Sequence, residues 1–485
     1  MVWLRDIMRI ILIANTILAF YIVFHRRRSV STTWAWLIIL LVLPVIGIIL
    51  YAFFGRGISQ ENIFAINKQR HIGLRNVQKT ITKAPKKVSP ANTSNKAKMA
   101  VRFFNRNGES PLSKNNQVKL YNDGKEMFRD MIKDIKQAKE TINVEFYTFY
   151  NDNIGNKVLH LLMKKAEQGV QVRVLYDAWG SLGATNSWFN QLRDVGGQVL
   201  PFVTSRNVIT RYRINYHLHR KIVVVDGKIS WTGGFNIGDQ YLGRKKKFGY
   251  WRDTQVRIVG SASLLLQERF VMDWNASIQN NDQIITYNSL FFPDFNESAI
   301  QPGDMAIQIV SDGPDRYEAY MRNGVMRLML LAKKRLWIQT PYLIPDDAMF
   351  AAWETIAMSG VDVRIMIPCM PDHPFIYRAT QWYANKLSRY GVKIYSYNKG
   401  FLHSKTIIVD HSYSSVGSMN QDYRSYDLNF EDIAVFYDKE FNCKLATAFE
   451  NDMKDSTLLT KEIIEKQGRW LKTLQSFSRM LSPIL

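Results

Sequence analysis

The stretch His219-Arg-Lys-Ile-Val-Val-Val-Asp226 occurs a second time in the chain, as His403-Ser-Lys-Thr-Ile-Ile-Val-Asp410. In both copies a histidine and a lysine stand two residues apart, and the hydrophobic run that follows favours a β-strand. Because successive side chains of a strand alternate between its faces, the histidine and lysine of each copy are predicted to share one face. A single His-x-Lys-x4-Asp pattern arises by chance in many proteins, whereas a repeated one indicates a duplicated unit.

The repetition extends through the sequence around both motifs. Ile142-Asn-Val-Glu-Phe-Tyr147 corresponds to Leu336-Trp-Ile-Gln-Thr-Pro341, and Gly169-Val-Gln-Val-Arg-Val-Leu175 corresponds to Gly360-Val-Asp-Val-Arg-Ile-Met366. The amphipathic stretches between these runs predict helices, at 126–139 and 156–168 in the first copy and at 317–334 and 349–359 in the second. Strands that alternate with helices predict an α/β fold of two homologous lobes, each a β-sheet flanked by helices, related by a pseudo-twofold axis.

The sequence ahead of the repeat differs from it in character. Two apolar stretches, 8–24 and 33–54, have the composition of transmembrane helices, so we predict two spans within 1–55. A basic linker (56–116), a first lobe (117–298) and a second lobe (299–485) follow. A secretory signal peptide and a buried hairpin are the alternatives for the first stretch. Weighing Arg26–Arg28 between the stretches against the basic residues on either side of them, the positive-inside rule mildly favours a cell-membrane protein with a cytoplasmic catalytic part.

The bulk composition fits a globular protein with an acidic partner. Of the 485 residues, 46% are hydrophobic, which is enough for real cores, and the formal charge is +22. Such a charge indicates nucleic acid, an anionic lipid surface or a phosphorylated substrate, without choosing among them. The two cysteines, Cys369 and Cys443, form neither a metal-site spacing nor a disulfide framework.

A turn of small residues follows each motif and ends in asparagine, as Gly233-Gly-Phe-Asn236 and Gly417-Ser-Met-Asn420. The glycines would let the backbone approach a bound anion, and an asparagine amide can donate to a phosphate oxygen. Together the copies would place two histidines, two lysines and two asparagines around one phosphodiester. Two ammonium groups suit the extra negative charge of its transition state, so we predict no metal and no cofactor.

The two histidines can divide the work of phosphodiester transfer. One neutral imidazole would attack phosphorus and form a phosphohistidine, while the other, protonated, would donate to the leaving alcohol and accept from the incoming one. An unperturbed pKa near 6.5 suits both roles. As carboxylates that orient the rings we name Glu431 in the second half and Asp253 in the first. The residues alone leave open which histidine is the nucleophile.

These motifs resemble those of the phospholipase D superfamily, over nearly the whole chain after the linker. The resemblance implies a bilobed α/β fold with one shared active site. It also implies His219 as nucleophile and His403 as general acid and base, with Lys221, Lys405, Asn236 and Asn420 on phosphate. The catalytic set carried by the two motifs is His219, Lys221, Asp226, His403, Lys405 and Asp410. Of these, we expect the two aspartates to fix local geometry rather than to contact substrate.

Within the superfamily the chain looks most like the bacterial cardiolipin synthases. Three stretches carry this resemblance: Leu43-Pro-Val-Ile-Gly-Ile-Ile-Leu-Tyr51, Gln339-Thr-Pro-Tyr-Leu-Ile-Pro-Asp346 and Gly417-Ser-Met-Asn-Gln-Asp-Tyr-Arg-Ser425. It implies condensation of two phosphatidylglycerol molecules to cardiolipin, with anionic phospholipid and the membrane as partners. The alternatives are a phospholipase D hydrolase or another phosphatidyltransferase such as a phosphatidylserine synthase, a membrane-tethered phosphodiesterase or nuclease, and an inactive scaffold. Nucleic acid is not the expected partner.

Overall fold

The computed structural model describes residues 2–25, 30–54, 77, 95–106, 110–205, 215–278, 283–295, 303–316 and 318–482. The chain divides into two compact units. One comprises Met1–Ser59 and Thr204–Tyr216, and the other comprises Gln60–Val203 and His217–Leu485. Arg26–Arg28 and most of the predicted linker lie outside the described residues.

The N-terminal unit contains three helices within its described part: α1 (Val2–His25), α2 (Val30–Val42) and α3 (Pro44–Phe54). Proline cannot donate a backbone hydrogen bond, which suits the first position of a helix and explains why α3 begins at Pro44. The small core of this unit includes Trp36 and Tyr51, whose ring centroids lie 5.2 Å apart. Other large apolar side chains of the three helices are exposed, among them Ile10, Ile13, Ile17, Leu41 and Ile46.

The sequence predicted two transmembrane helices in this region. Across the described segments of the chain, no helix combines the length and the apolar character needed to cross a membrane.

The second unit is built from two halves with matching elements. The first half contains β1 (Ser113–Tyr121), α5 (Gly124–Gln137), β2 (Thr141–Phe146), α6 (Asn153–Glu167), β3 (Gln171–Tyr176), α7 (Asn186–Asp194), β4 (Gln198–Pro201), β5 (Lys221–Val225), β6 (Ile229–Gly233), β7 (Tyr250–Arg252), β8 (Gln255–Gly260) and α8 (Ala262–Ser277). The helix α4 (Asn95–Arg106) precedes it.

The second half repeats this order. It contains β9 (Met305–Asp312), α9 (Tyr320–Met329), β10 (Arg335–Gln339), β11 (Leu343–Ile344), α10 (Asp347–Met358), β12 (Asp362–Pro368), α11 (Pro374–Ser388), β13 (Lys393–Tyr397), β14 (Gly400–Leu402), β15 (Thr406–Val409), β16 (Tyr413–Gly417), β17 (Gln421–Asp422), α12 (Tyr423–Asp427), β18 (Glu431–Phe436) and α13 (Lys439–Lys454). The chain then continues through β19 (Ser456–Leu458), α14 (Lys461–Glu465) and α15 (Arg469–Met480).

The strands of both halves join in one fifteen-stranded sheet whose order is symmetric about its centre. That order is β19-β13-β12-β10-β15-β16-β18-β9-β1-β8-β6-β5-β2-β3-β4, with β9 and β1 meeting in an antiparallel pair. On either side the matched strands follow outward in the same order, and the last three matched strands of each half, β2-β3-β4 and β10-β12-β13, are parallel. The edge strand β19 has no counterpart in the first half and pairs with β13 in antiparallel fashion. The predicted α/β architecture of two repeated halves is therefore confirmed.

Close to the motifs, two short backbone pairings join one half of the chain to the other. β14, which ends immediately before His403, pairs with β7 of the first half. Leu218, which immediately precedes His219, forms a parallel bridge with Phe430 of the second half. Each motif histidine is thus anchored by the half of the chain to which it does not belong.

Part of the predicted linker forms a packed helix. Phe104 of α4 is fully buried, lies 6.1 Å from the ring of Tyr320 in α9, and accepts a hydrogen bond on its carbonyl from the Tyr320 hydroxyl. The strong amphipathic pattern of 95–106 explains this packing, because a helix with one apolar face is stabilised by burying it. The lobe boundaries at 117, 298 and 299 stay predictions.

Candidate active site

Both motif histidines are buried and held by their backbones. The N–H of His219 donates to the carbonyl of Phe430 at 2.9 Å, and the N–H of His403 donates to the carbonyl of Arg252 at 2.7 Å. Each histidine lies two residues ahead of the motif lysine, at the point where β5 and β15 begin. The rings therefore emerge at the ends of strands in the middle of each half.

Each imidazole contacts a carboxylate from the opposite half. His219 Nδ1 lies 2.9 and 2.8 Å from the two oxygens of Glu431, and His403 Nδ1 lies 2.6 Å from Asp253 Oδ2. These are the two carboxylates named from the sequence, Glu431 in the second half and Asp253 in the first, and each contacts the histidine of the other half. Because an ionised carboxylate can only accept, Nδ1 carries a proton in both rings and Nε2 is left with its lone pair.

Glu431 has more partners than the sequence analysis found. Its carboxylate also accepts from Ser418 Oγ at 2.5 Å, from Ser425 Oγ at 2.8 Å and from Asn429 Nδ2 at 3.2 Å. Burial would raise the pKa of Glu431, but His219, Lys221 and Ser418 outweigh it and lower that pKa to about 2. Both serines follow the second motif closely, and the small-residue turn containing Ser418 was the available signal for one of them.

The motif lysines are buried next to their own histidines. Lys221 Nζ donates to the carbonyl of His219, and Lys405 Nζ donates to the carbonyl of His403. Burial lowers the pKa of Lys221 to about 8 and that of Lys405 to about 7. Glu431 and Asp253 oppose this shift in both lysines, and Lys221 adds to it for Lys405. The two ammonium groups therefore share one electrostatic environment.

Both motif histidines have pKa values below the unperturbed value of an imidazole. Burial, with further contributions from the ammonium groups of both motifs, lowers the pKa of His219 and of His403 to about 4, although the neighbouring carboxylates oppose the shift. The pKa of each ring therefore lies below the unperturbed value near 6.5. Both rings are neutral at pH 7, which suits a nucleophile, whereas a general acid must gain its proton after the anionic substrate binds.

The two predicted asparagines are buried beside the motifs. Asn236 Oδ1 accepts from the N–H of Thr148 at 3.1 Å, which leaves its NH2 group as the donor. The backbone N–H of Asn420 donates to Ser425 Oγ at 3.0 Å, and Asn420 Oδ1 is buried without a protein hydrogen-bond partner among the described residues.

The glycines of the small-residue turns serve strand packing. A Cβ on Gly233 would lie 2.4 Å from the carbonyl oxygen of Thr254, and one on Gly417 would lie 2.3 Å from that of Asp432. Real Cβ atoms do not approach backbone this closely. Gly233 and Gly417 thus pack against the neighbouring strand, and the approach of this backbone to a bound anion stays a prediction.

The motif aspartates are turn residues at the far ends of β5 and β15. Asp226 and Asp410 have φ values of 52° and 49°, a left-handed conformation that aspartate tolerates better than most residues. The Asp226 carboxylate accepts from the N–H groups of 139–141, and that of Asp410 accepts from those of 333–335. Their contacts match the expected local role and do not place them with the catalytic groups.

The surroundings of the two histidines differ. The Tyr147 ring lies 5.3 Å from the His219 ring in a T-shaped contact, whereas Trp251 lies 5.1 Å from the His403 ring. Sequence reasoning did not identify Tyr147. No group of three or more His, Cys, Asp or Glu side chains in the described part of the chain is arranged to hold a metal ion.

Comparisons with known proteins point in one direction. The family model described as "Cardiolipin synthase, PLD-like domain" matches residues 131–264 and 325–453, and one described as "Phospholipase D-nuclease N-terminal" matches residues 13–56. Cardiolipin synthase of Listeria welshimeri is 42% identical over 479 residues, covering 98% of each chain. That of Staphylococcus aureus is 42% identical over 476 residues, covering 98% of this chain and 95% of its own.

A solved structure shares the fold. The crystal structure of phosphatidylserine synthase from Haemophilus influenzae superposes with a TM-score of 0.60 at 20% identity, covering 81% of this chain and 100% of that chain. The two family-model matches of the first description coincide with the two halves of the sheet.

Proposed function

The chain belongs to the cardiolipin synthase family with phospholipase D-like domains, and from this premise we propose that it transfers a phosphatidyl group between two phosphatidylglycerol molecules, giving cardiolipin and glycerol. One observation carries the mechanism: two buried imidazoles, each fixed at Nδ1 by a carboxylate of the other half, stand beside two buried lysines. This arrangement supplies a nucleophile, a proton carrier and positive charge for a phosphodiester.

In the proposed first step, Nε2 of His219 attacks the phosphorus of the donor phosphatidylglycerol. The bond between phosphorus and the glycerol headgroup oxygen breaks, and that oxygen takes a proton from His403 as glycerol leaves. His403 gains this proton when the anionic phosphodiester binds, because a nearby negative charge raises a histidine pKa from the value of about 4 in the unliganded site. Lys221 and Lys405 offset the charge that develops on the phosphoryl oxygens.

In the proposed second step, the headgroup hydroxyl of another phosphatidylglycerol gives its proton to His403. Its oxygen attacks the phosphatidyl-histidine, the bond between phosphorus and nitrogen breaks, and His219 returns to its starting state. A phosphatidyl-enzyme partitions between water and alcohol, so the product identifies the acceptor. Incubating the purified full-length protein in phosphatidylglycerol vesicles should release glycerol and form cardiolipin in equal amounts.

Other products would indicate one of the alternatives. Phosphatidic acid without cardiolipin would contradict the transferase and favour a hydrolase, and cleavage of DNA would favour a nuclease. A His403→Ala protein that leaves lipid composition unchanged from wild type would contradict an enzymatic role.

A donor with a good leaving group separates the two histidines. Phosphatidyl-p-nitrophenol needs no general acid, because p-nitrophenolate leaves without a proton. We expect His403→Ala to release about one equivalent of p-nitrophenol rapidly and then stall as phosphatidyl-enzyme, while His219→Ala gives no burst. A burst in His219→Ala but not in His403→Ala would reverse the proposed roles.

We also propose that the enzyme is held at the membrane, with the two-span arrangement and cytoplasmic catalytic part predicted from the sequence. Exposed apolar side chains on α1–α3 support the N-terminal part of this proposal. Helix α15 supports a further contact. It docks through polar residues, with Gln475 and Ser478 buried, and leaves Trp470, Phe477 and Met480 exposed. An exposed apolar face next to Arg469 and Lys472 is typical of helices that lie in an anionic interface.

Two measurements test this attachment. Exposed Cys443 should react with a membrane-impermeant maleimide only after cells are permeabilised, in a Cys369→Ser background. Labelling in intact cells would contradict a cytoplasmic catalytic part. The pair Trp470→Ser and Phe477→Ser should lower the specific activity on vesicles while that in detergent micelles is retained, and equal activities in both would contradict a role for α15.

A further inference from the structure

A third histidine, His217, lies beside the catalytic pair. Its Nδ1 is 3.6 Å from Asp177 Oδ2 and is buried without a hydrogen-bond partner among the described residues. The buried Asp177 also accepts from the N–H groups of Gly180 and Leu218. Burial would raise the pKa of Asp177, but His217 and these N–H groups hold that pKa below its usual value. A fixed anion therefore faces Nδ1 of His217, which leaves Nε2 as the ring nitrogen that could contact a ligand.

His217 lies on the same side of the chain as His219, because Tyr147 contacts both rings. The Tyr147 ring makes T-shaped contacts with both imidazoles, at 5.9 Å to His217 and 5.3 Å to His219. Residues i and i+2 of an extended segment are roughly 7 Å apart, so the rings of His217 and His219 are separated by a distance of that order. The side chain of His217 keeps 17% of its surface accessible.

The second half has no counterpart to this histidine. The position two residues before His403 is Phe401, which is fully buried in an aromatic cluster with Trp251 at 4.9 Å and Phe248 at 5.6 Å. The duplicated halves therefore keep the histidine, lysine and asparagine of the motif but differ at the adjacent position. Such a difference can distinguish two substrates that meet at a symmetric chemical centre.

The proposed reaction has that asymmetry, because glycerol leaves as a neutral alcohol while the accepting phosphatidylglycerol carries a phosphodiester of its own. Resting on the proposed function, we infer that His217, together with Arg424, binds the phosphate of the acceptor lipid. The buried Arg424 guanidinium interacts electrostatically with Asp422, Tyr147 and Asp177, so it brings a positive charge near the residues that surround His217. With Nδ1 of His217 facing Asp177, Nε2 is the ring nitrogen placed to donate a hydrogen bond to the charged phosphate.

The inference is tested by letting two acceptors, phosphatidylglycerol and 1-butanol, compete for the same phosphatidyl-enzyme. Full-length enzyme in phosphatidylglycerol vesicles is supplied with 1-butanol, which forms phosphatidylbutanol and carries no phosphate. The ratio of cardiolipin to phosphatidylbutanol is independent of how fast the phosphatidyl-enzyme forms. Loss of a charge-assisted hydrogen bond should lower this ratio about tenfold or more in His217→Leu. His217→Arg, which keeps a cation at the position, should restore most of the ratio.

Two further variants make the outcome decisive. His160→Leu changes an exposed histidine on α6 and should leave the ratio as in wild type. Arg424→Gln is measured in parallel, so that a folding defect of one variant does not decide the result, and it should also lower the ratio. Wild-type ratios in the His217 and Arg424 variants would contradict the inference while leaving the proposed function intact. Phosphatidylbutanol without cardiolipin from the wild-type enzyme would instead contradict the proposed function.

Discussion

Replacing Glu431 by glutamine should remove the group that holds His219 in its reactive tautomer. The wild-type carboxylate only accepts hydrogen bonds. It accepts them from the Nδ1–H of His219 and from the hydroxyl groups of Ser418 and Ser425. A glutamine offers one oxygen and one NH2 group in the same volume. Where the NH2 group faces the ring, the imidazole must move its proton to Nε2, the atom that attacks phosphorus.

The magnitude follows from two contributions. A hydrogen bond to a charged group contributes about 1.5–3 kcal/mol, which corresponds to roughly a 10- to 150-fold loss of rate. In the serine proteases the equivalent change from carboxylate to amide behind a catalytic histidine, which combines this loss with the wrong tautomer, lowers kcat about 10⁴-fold in total. We therefore expect the Glu431→Gln variant to form the phosphatidyl-enzyme about 10²- to 10⁴-fold more slowly than wild type.

Stopped-flow release of p-nitrophenol from phosphatidyl-p-nitrophenol measures this step directly. Asp253→Asn is the matched control, because it changes the carboxylate behind His403 by the same chemistry. That control should strongly slow the turnover of phosphatidylglycerol, in which glycerol leaves, but it should slow the p-nitrophenol burst much less than Glu431→Gln does. A burst that is slowed by Asp253→Asn and not by Glu431→Gln would refute both the tautomer argument and the assignment of the nucleophile.

Three further predictions concern charge and stability. As pH rises through the pKa of Lys405, about 7, kcat/KM should fall, because only the ammonium form of Lys405 binds phosphate. The corresponding fall in kcat should lie at higher pH, because bound phosphodiester stabilises that form. If kcat and kcat/KM fall at the same pH in the pH–rate profiles, this prediction is contradicted. Asp226→Ala should lower the free energy of unfolding in urea by about 2–4 kcal/mol, through the lost N–H contacts, while kcat per folded molecule changes little; Asp226→Asn should lose less. Arg220→Met removes a guanidinium that lies 2.6 Å from Asp273 and donates to the carbonyls of Glu431 and Asp312, while Asp273 keeps Arg269 at 2.7 Å. It should lower the free energy of unfolding by about 2–4 kcal/mol through these lost hydrogen bonds, and a loss below 1 kcal/mol in the same urea titration would contradict a structural role for Arg220.

The sequence was sufficient for features that are written locally. The strands β2 and β3, the duplication and the two His-x-Lys-x4-Asp motifs all follow from alternating or repeated patterns within a few residues. The buried helix α8 was not predicted, because a helix that is buried on nearly every side has no polar face to give it a period. Phe104 and α4 were taken for linker because their neighbours in sequence are polar.

The partners of the histidines depended on contacts that no local pattern records. Glu431 and Asp253 could be chosen as carboxylates near the motifs, but their exchange between halves comes from the bridge of Leu218 with Phe430 and from the pairing of β7 with β14. The lowered pKa values of both histidines have the same origin. They follow from burial and from the lysines of both motifs, and the contribution of the other motif's lysine exists only once the halves are joined.

The exchange makes the two halves depend on each other for catalysis as well as for folding. Separating them would remove the carboxylate from each imidazole and would also break the hydrogen bonds of Thr232 with Asp432, at 2.5 Å, and of Thr254 with Ser404, at 2.6 Å. Buried polar groups left without partners are costly, so opening the site between the halves would be unfavourable. Lipid substrates must therefore reach the phosphorus-binding centre along the existing surface of the joined halves. The groups that differ around the two histidines are then the ones that tell donor from acceptor.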